Sequence, residues 1–345
     1  MDHRGRCVSE VGILVNPAAA RDVRRLISGA TGVSLSERSA RVQRVLAGLG
    51  AIGVDRVWMM FDRAGITGGL VQASERATGW PEICFLDMPV EGESFDTQLA
   101  VRCMREVGVS CIVVLGGDGT HRLVSHECGS VPLVCLSTGT NNAFPRFQEE
   151  TVAGLVAGAV ANGLVDSQVV CQRNKRLRCF VDGEEKIAAL VDICVVREPW
   201  VGTRALWRPE NFAMLYLTFA EPGAIGLSSI GSLVAPVSRE AQVGIAIKFG
   251  PGRFVNAPIA PGLMRRVEIA DVHPLTLGER IRVPAIIGTL ALDGEKEVTL
   301  CADQCVEIEL GQDGPRSVNV AAAMAVIAGR GLLSDGPWDA AQDAV

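Results

Sequence analysis

The sequence predicts an α/β fold followed by a β-rich one. Two observations predict the first part: short apolar runs alternate with helical stretches as far as about Val165, and residues Cys111 to Thr120 read CIVVLGGDGT, an apolar run leading into a glycine turn. A third predicts the second part, because from about Gln168 onward a period of two replaces that rhythm. Strand–helix alternation implies a parallel sheet covered on both faces. A period of two over five or more residues implies half-buried antiparallel strands.

Taken in order, EVGILVNP, RVWMMFD, PEICFLDMP, CIVVLGG and VPLVCLSTG read as five strands. Between them, helices are expected around Arg38 to Leu49, Ile66 to Ala77, Ser94 to Val107 and Thr120 to Glu127. The apolar stretch from Thr151 to Val165 is bracketed by Glu149, Glu150 and Asp166, as a buried amphipathic helix would be. It is too short and glycine-rich to span a bilayer. Beyond it, Val243, Ile245, Ile247 and Phe249 alternate with small or polar residues, and Val306, Ile308 and Leu310 alternate with Glu307 and Glu309. Turns are expected at Gly250-Pro-Gly, Ala260-Pro-Gly and Leu292-Asp-Gly. Val318 to Leu333 is alanine-rich and reads as a closing helix.

The functional signal lies at the strand ends. After the strand ending near Leu115 come Gly116, Gly117, Asp118, Gly119 and Thr120. Glycines here permit positive φ and leave no Cβ to crowd a bound group. A strand, a glycine turn and a helix N-terminus make an anion cradle from free N–H groups and the helix dipole. An acid inside such a cradle repels phosphate unless it holds a metal ion or takes a proton from an acceptor hydroxyl, so Asp118 points to phosphoryl transfer. Ligands of open parallel sheets bind at the carboxyl ends of strands. Asn16, the GGDGT turn and the turn holding Gly139, Thr140, Asn141 and Asn142 all fall there.

GGDGT resembles the signature of the NAD kinase and diacylglycerol/sphingosine kinase superfamily. Gly12-Ile-Leu-Val-Asn16-Pro17 is similar to its first strand and turn, Ser137 to Asn142 to the GTxND element of its lipid kinases, and Leu292 to Glu295 to their DGE element. Glu198 to Trp207, Gly223 to Leu233 and Asn256 to Leu263 look like the ATP-NAD kinase branch that includes the AcoX-like proteins of acetoin catabolism. The resemblance implies a Rossmann-like N-terminal domain over residues 1–167 and an antiparallel β-sandwich domain over 168–316. It also implies a C-terminal helix and tail over 317–345 that packs back on the first domain.

It further implies a phosphotransferase moving a phosphoryl group from ATP or polyphosphate, with Mg²⁺, to the 2′-hydroxyl of NAD(H). Asp118 is then the base and a metal ligand. If the site works like the lipid kinases, Glu295 is the base and Asp118 sits nearer metal and phosphates. Asn16, Gly116, Gly117, Gly119, Thr120, Gly139, Thr140, Asn141, Asn142, Asp192, Arg204 and Asp293 would bind the nucleotides. Asn142 stands where the lipid kinases carry Asp, and Val191 where NAD kinases carry Asn beside Asp192. These departures motivate the alternative of a nucleotide-binding accessory protein without turnover. A lipid kinase is a third reading, without a basic amphipathic helix to accompany it.

Several residues also have plainer readings. Val181-Asp182-Gly183-Glu184 repeats the DGE triplet, and Asp-Gly is a favoured hairpin turn. Asn141 and Asn142 can cap a turn. Arg204 can grip phosphate or form a structural ion pair. His121 reads as a helix-surface residue.

A net charge of −6 argues against nucleic acid or an anionic membrane as partner. With 48% apolar and 5% aromatic residues, the core must be aliphatic. The eleven cysteines are scattered, and Cys301 and Cys305 lack a second pair or a histidine to complete a zinc set. No basic stretch followed by an apolar one opens the chain, so reduced thiols in the cytoplasm are expected. Homo-oligomerisation is compatible with the sequence.

Overall fold

A computed structural model describes residues 8–16, 34–139, 141–198, 208–294 and 296–334. Strands β1 (Glu10–Val15), β2 (Arg56–Met59), β3 (Glu82–Phe85), β4 (Cys111–Gly116) and β5 (Leu133–Ser137) are all parallel where they pair. Helices α1 (Leu35–Ala51), α2 (Ile66–Ser74), α3 (Ser94–Val107), α4 (Asp118–Glu127) and α5 (Glu150–Ala161) alternate with or follow them. Next come α6 (Ser167–Val170), β6 (Cys171–Arg173), β7 (Arg176–Val181), β8 (Glu184–Ala189), β9 (Asp192–Val196) and β10 (Phe212–Leu217). The chain continues through α7 (Leu227–Val234), β11 (Val243–Ala260), β12 (Leu263–Thr276), β13 (Arg280–Arg282) and β14 (Gly288–Leu292). It closes with β15 (Lys296–Leu300), β16 (Val306–Gly311), β17 (Arg316–Val318) and α8 (Val320–Gly329).

The first sheet runs β3-β2-β1-β4-β5-β17-β6, so the late strand β17 returns to lie parallel to β5, with β6 antiparallel outside it. Both faces of this sheet are buried, and the period of two shows which residue goes where. Val11, Ile13, Val15, Val113 and Leu115 pack under α1, α5 and α8, while Leu14, Ile112 and Val114 pack under α3 and α4. At the α1–α5 crossing the backbones nearly touch: a Cβ on Gly48 would lie 2.2 Å from Thr151 O, and one on Gly154 2.3 Å from Val45 O. Helix α8 packs on α5 and α6, so the end of the chain does fold back on the first part.

The second part is a sandwich of two antiparallel sheets, β12-β11-β10-β9-β14-β15 and β13-β16-β7-β8. Leu177, Cys179, Ile193, Val195, Leu290, Leu292, Ile308 and Leu310 fill the space between them. Pro261 and Gly262 join β11 to β12 as expected. Gly250-Pro-Gly does not reverse the chain. It lies inside β11 as an irregularity where the register to β12 shifts between Phe249 and Arg253, with φ at Gly250 of +149°. Only glycine takes that backbone freely, so a bulge replaces the predicted turn.

Tyr216 is fully buried between these sheets, and its hydroxyl has no hydrogen-bond partner among the described residues. An unpaired buried hydroxyl costs free energy, whereas the ring is well packed. Tyr216→Phe is therefore expected to raise stability by about 1 kcal/mol, read as a higher urea midpoint with an unchanged slope. A lower midpoint would show that the hydroxyl does have a partner.

Candidate functional site

Three strand ends meet at the carboxyl edge of the first sheet. Asn16 follows β1; its N–H donates to Leu115 O, and its Nδ2 donates to Thr120 Oγ1 at 3.0 Å. The next turn is tied in as well, Thr138 N donating to Gly116 O. Helix α1 crosses above with two arginines: Arg38 donates to Asn16 O and Arg41 to Ser137 O, each at 3.1 Å. These cations beside the cradle escaped the sequence reading. Their only signal is an i, i+3 arginine pair flanking the apolar face of α1.

The glycine turn works differently from expectation. Helix α4 starts at Asp118 rather than Thr120, Gly117 has φ of −95°, and neither Gly116 nor Gly119 has a left-handed backbone. Space excludes side chains here. A Cβ on Gly116 would lie 2.6 Å from Thr120 Cβ, and one on Gly117 2.9 Å from Asn142 Oδ1. Thr120 is buried and held by Asn16, so it cannot yield. Gly116→Ala is expected to cost about 1–3 kcal/mol by overpacking, read in urea unfolding, and to break the Asn16–Thr120 contact. Wild-type stability would mean that α4 shifts freely.

Asp118 is half-buried in the first turn of α4, and its carboxylate accepts from Ala143 N and from Phe144 N at 2.8 Å. It therefore fastens the loop after the GTNN segment. Asn142 does not reach outward. Its Nδ2 donates to Ser137 Oγ at 2.8 Å and to Gly139 O at 3.3 Å, which is the turn-capping role.

His121 is no surface residue. It is fully buried, packs on the Phe144 ring and makes an Nδ1 contact to Gly117 O at 2.9 Å. Burial pushes its pKa down to about 4, so the ring is neutral at pH 7 and Nδ1–H is the donor.

The DGE turn reaches the same edge from the sandwich. Asp293 joins β14 to β15 with φ of +49° and is 3% exposed. Its carboxylate accepts from the N–H groups of Leu190, Val191 and Asp192 at 3.0, 2.8 and 3.2 Å, and Arg122 Nε lies 3.5 Å away. Burial raises its pKa to about 6, against the opposing pull of Arg122 and those donors.

Asp118, Asn141, Asp192, Asp293 and Gly294 line one cavity of about 20 Å³ with Gly226, Leu227 and Ser228 at the start of α7. Ser228 is 1% exposed, and its Oγ has no hydrogen-bond partner among the described residues. The sequence alone places no binding group on that helix; its start is marked only by Gly226 at the N-cap, with Ser228 and Ser229 in the first turn. Gly119 and Thr120 are buried beneath this surface, and Gly139 is held in the Ser137 turn. Thr140, Arg204 and Glu295 lie outside the described residues.

Among the described residues, no three His, Cys, Asp or Glu side chains are grouped to hold a metal ion. No helix among the described residues is long and apolar enough to cross a membrane.

Comparison with known proteins gives a consistent pattern. Residues 11–164 match the ATP-NAD kinase N-terminal domain, and residues 175–313 match the acetoin catabolism protein X C-terminal domain. The chain is 44% identical over 326 residues to acetoin catabolism protein X of Cupriavidus necator, a match covering 91% of each protein.

Proposed function

The chain belongs to the acetoin catabolism protein X family, with an N-terminal domain of the ATP-NAD kinase type, and from that premise we propose that it is a nucleotide-binding accessory protein of acetoin catabolism. The ligand is a dinucleotide or nucleoside triphosphate such as NAD(H) or ATP. It is held at the carboxyl edge of the first sheet by the N-terminus of α4, the Asn141 turn and the start of α7. We place the domain limits near 167 and 316, with β6 (Cys171–Arg173) returning to the edge of the first sheet.

The observation that favours binding over turnover is what the carboxylates do. Asp293 spends its acceptors on three main-chain N–H groups and faces Arg122. Asp118 accepts from two main-chain N–H groups. Both acids thus hold loops together. A general base has to reach the proton of an acceptor hydroxyl, and Asp118, half-buried at the cavity, is the better placed of the two. Phosphoryl transfer to the 2′-hydroxyl of NAD(H) is therefore the second reading, with Asp118 as base or magnesium ligand. Bound Mg²⁺ would neutralise phosphate charge, while the α4 N-terminus supplies the protein's own positive field.

Titration calorimetry of the purified protein with Mg-ATP, Mg-NAD and Mg-NADH, run beside an assay for NADP(H) with ATP or polyphosphate, separates the readings. Binding without product is the expected result. Product formation would replace it with the kinase reading, and neither binding nor product would overturn both.

A further inference from the structure

Arg239 lies in the connection between α7 and β11, outside the segments that build the first sheet. Its side chain is only 10% exposed. The guanidinium sits 4.2 Å from the Phe219 ring centroid and 5.5 Å from that of Phe144. Its Nη1 donates to Phe144 O at 2.7 Å, its Nη2 donates to Ala143 O, and its Nε donates to Glu221 Oε2 at 3.1 Å. Glu221 also accepts from Arg146 Nη2 at 2.9 Å.

Ala143 O and Phe144 N–H belong to one peptide group. In a trans peptide these two atoms point in opposite directions, and no cis bond occurs among the described residues. Arg239 therefore grips the oxygen side of the peptide whose N–H donates to Asp118. Hydrogen bonds at both ends of one amide polarise it and strengthen each other.

We infer that Arg239 is a positioning residue for Asp118, acting through the Ala143–Phe144 peptide and held in place by Glu221. Its consequence for ligands rests on the reading of Asp118 as part of a nucleotide site, while the coupling itself does not. The geometry makes the setting of the GGDGT acid depend on a residue contributed by the sandwich part of the chain. Displacing Arg239 frees the peptide to rotate, and the carboxylate loses the Phe144 N–H, one of its two main-chain donors.

The test uses the full-length protein as wild type, Arg239→Met, Arg239→Lys, Asp118→Asn and the double variant Asp118→Asn/Arg239→Met. Hydrogen exchange of the Phe144 amide is followed alongside urea stability. The expected result is exchange about tenfold faster in Arg239→Met, in line with a coupling of 1.4 kcal/mol. Arg239→Lys, which keeps the charge and can reach one carbonyl, should fall between the two. In the double variant the effect should be no larger than in Asp118→Asn alone. A merely structural arginine would instead give additive losses of stability, and additivity or an unchanged Phe144 amide would overturn the inference. Affinities for Mg-ATP and Mg-NAD across the same set should show the same non-additivity. If the wild type binds neither nucleotide, the functional reading falls, and the exchange and stability cycle still decides the role of Arg239.

Discussion

Asp293→Ala is expected to destabilise the protein by about 3–5 kcal/mol, the largest effect of any single change at the site. The substitution removes the acceptor for three main-chain N–H groups at residues 190–192 and the partner of Arg122, whose side chain is 7% exposed. A buried cation left without its acid is the costly part. Alanine is also strained at φ of +49°. Asp182→Ala provides the control. Asp182 has φ of +53° in the other Asp-Gly turn but is exposed, and it accepts one hydrogen bond, from Cys305 N. Its loss should cost about 1 kcal/mol. Urea unfolding of both variants reads the difference, and equal losses would show that Asp293 is no more than a turn residue.

The same residue carries a pH signature. Its pKa is about 6 in the fold against an ordinary value of 3.8. Between these values the folded chain holds a proton that the unfolded chain has released, so stability falls as pH rises. The contribution is complete below about 3.8 and is lost as pH passes through about 6. Asp293→Asn should abolish that slope while keeping a residue tolerant of positive φ. A slope that survives in the variant would belong to another group.

Asp118→Asn is expected to have the largest functional effect. From sequence the change is isosteric and sits in a turn. The structure makes it less innocent, because both carboxylate oxygens accept from the Ala143 and Phe144 amides. An asparagine turns one oxygen into a donor facing those donors. The chain should still fold, since the sheet cores do not involve this side chain. Loss of a charge-assisted contact is worth about 1.5–3 kcal/mol, so affinity for a Mg-nucleotide should fall by about tenfold to a hundredfold. If the wild type forms NADP(H), turnover should fall by about 10² or more. Circular dichroism, calorimetry and direct measurement of NADP(H) test each part. Unchanged affinity and turnover in a folded variant would remove Asp118 from the site.

Local patterns in the sequence are enough for much of this architecture. Helix and strand periods show in Ser94 to Val107 and Val306 to Leu310 because burial of one face imposes them residue by residue. Gly12 to Val15 reads instead as a continuous apolar run, because both faces of its strand are buried. The strand-end position of Asn16, Gly116 and Asn141 follows from that order alone. So does the family, since GGDGT and its companion segments are contiguous strings.

Whatever depends on distant partners needed the tertiary structure. Asp182-Gly183 and Asp293-Gly294 share a triplet and a left-handed backbone, yet one lies in solvent and the other lies under Arg122 and the start of β9. His121 sits next to GGDGT in sequence, but Phe144 and Gly117 enclose it and make it a neutral core residue. Gly116 is required by the position of Thr120 and not by its own φ. Arg239 meets Asp118 only through a peptide 95 residues away from it in the chain. Backbone period and turn chemistry are set by neighbours along the chain. Burial, ionisation and the partner of a charge are set by whatever the fold brings beside them, and no local string records that.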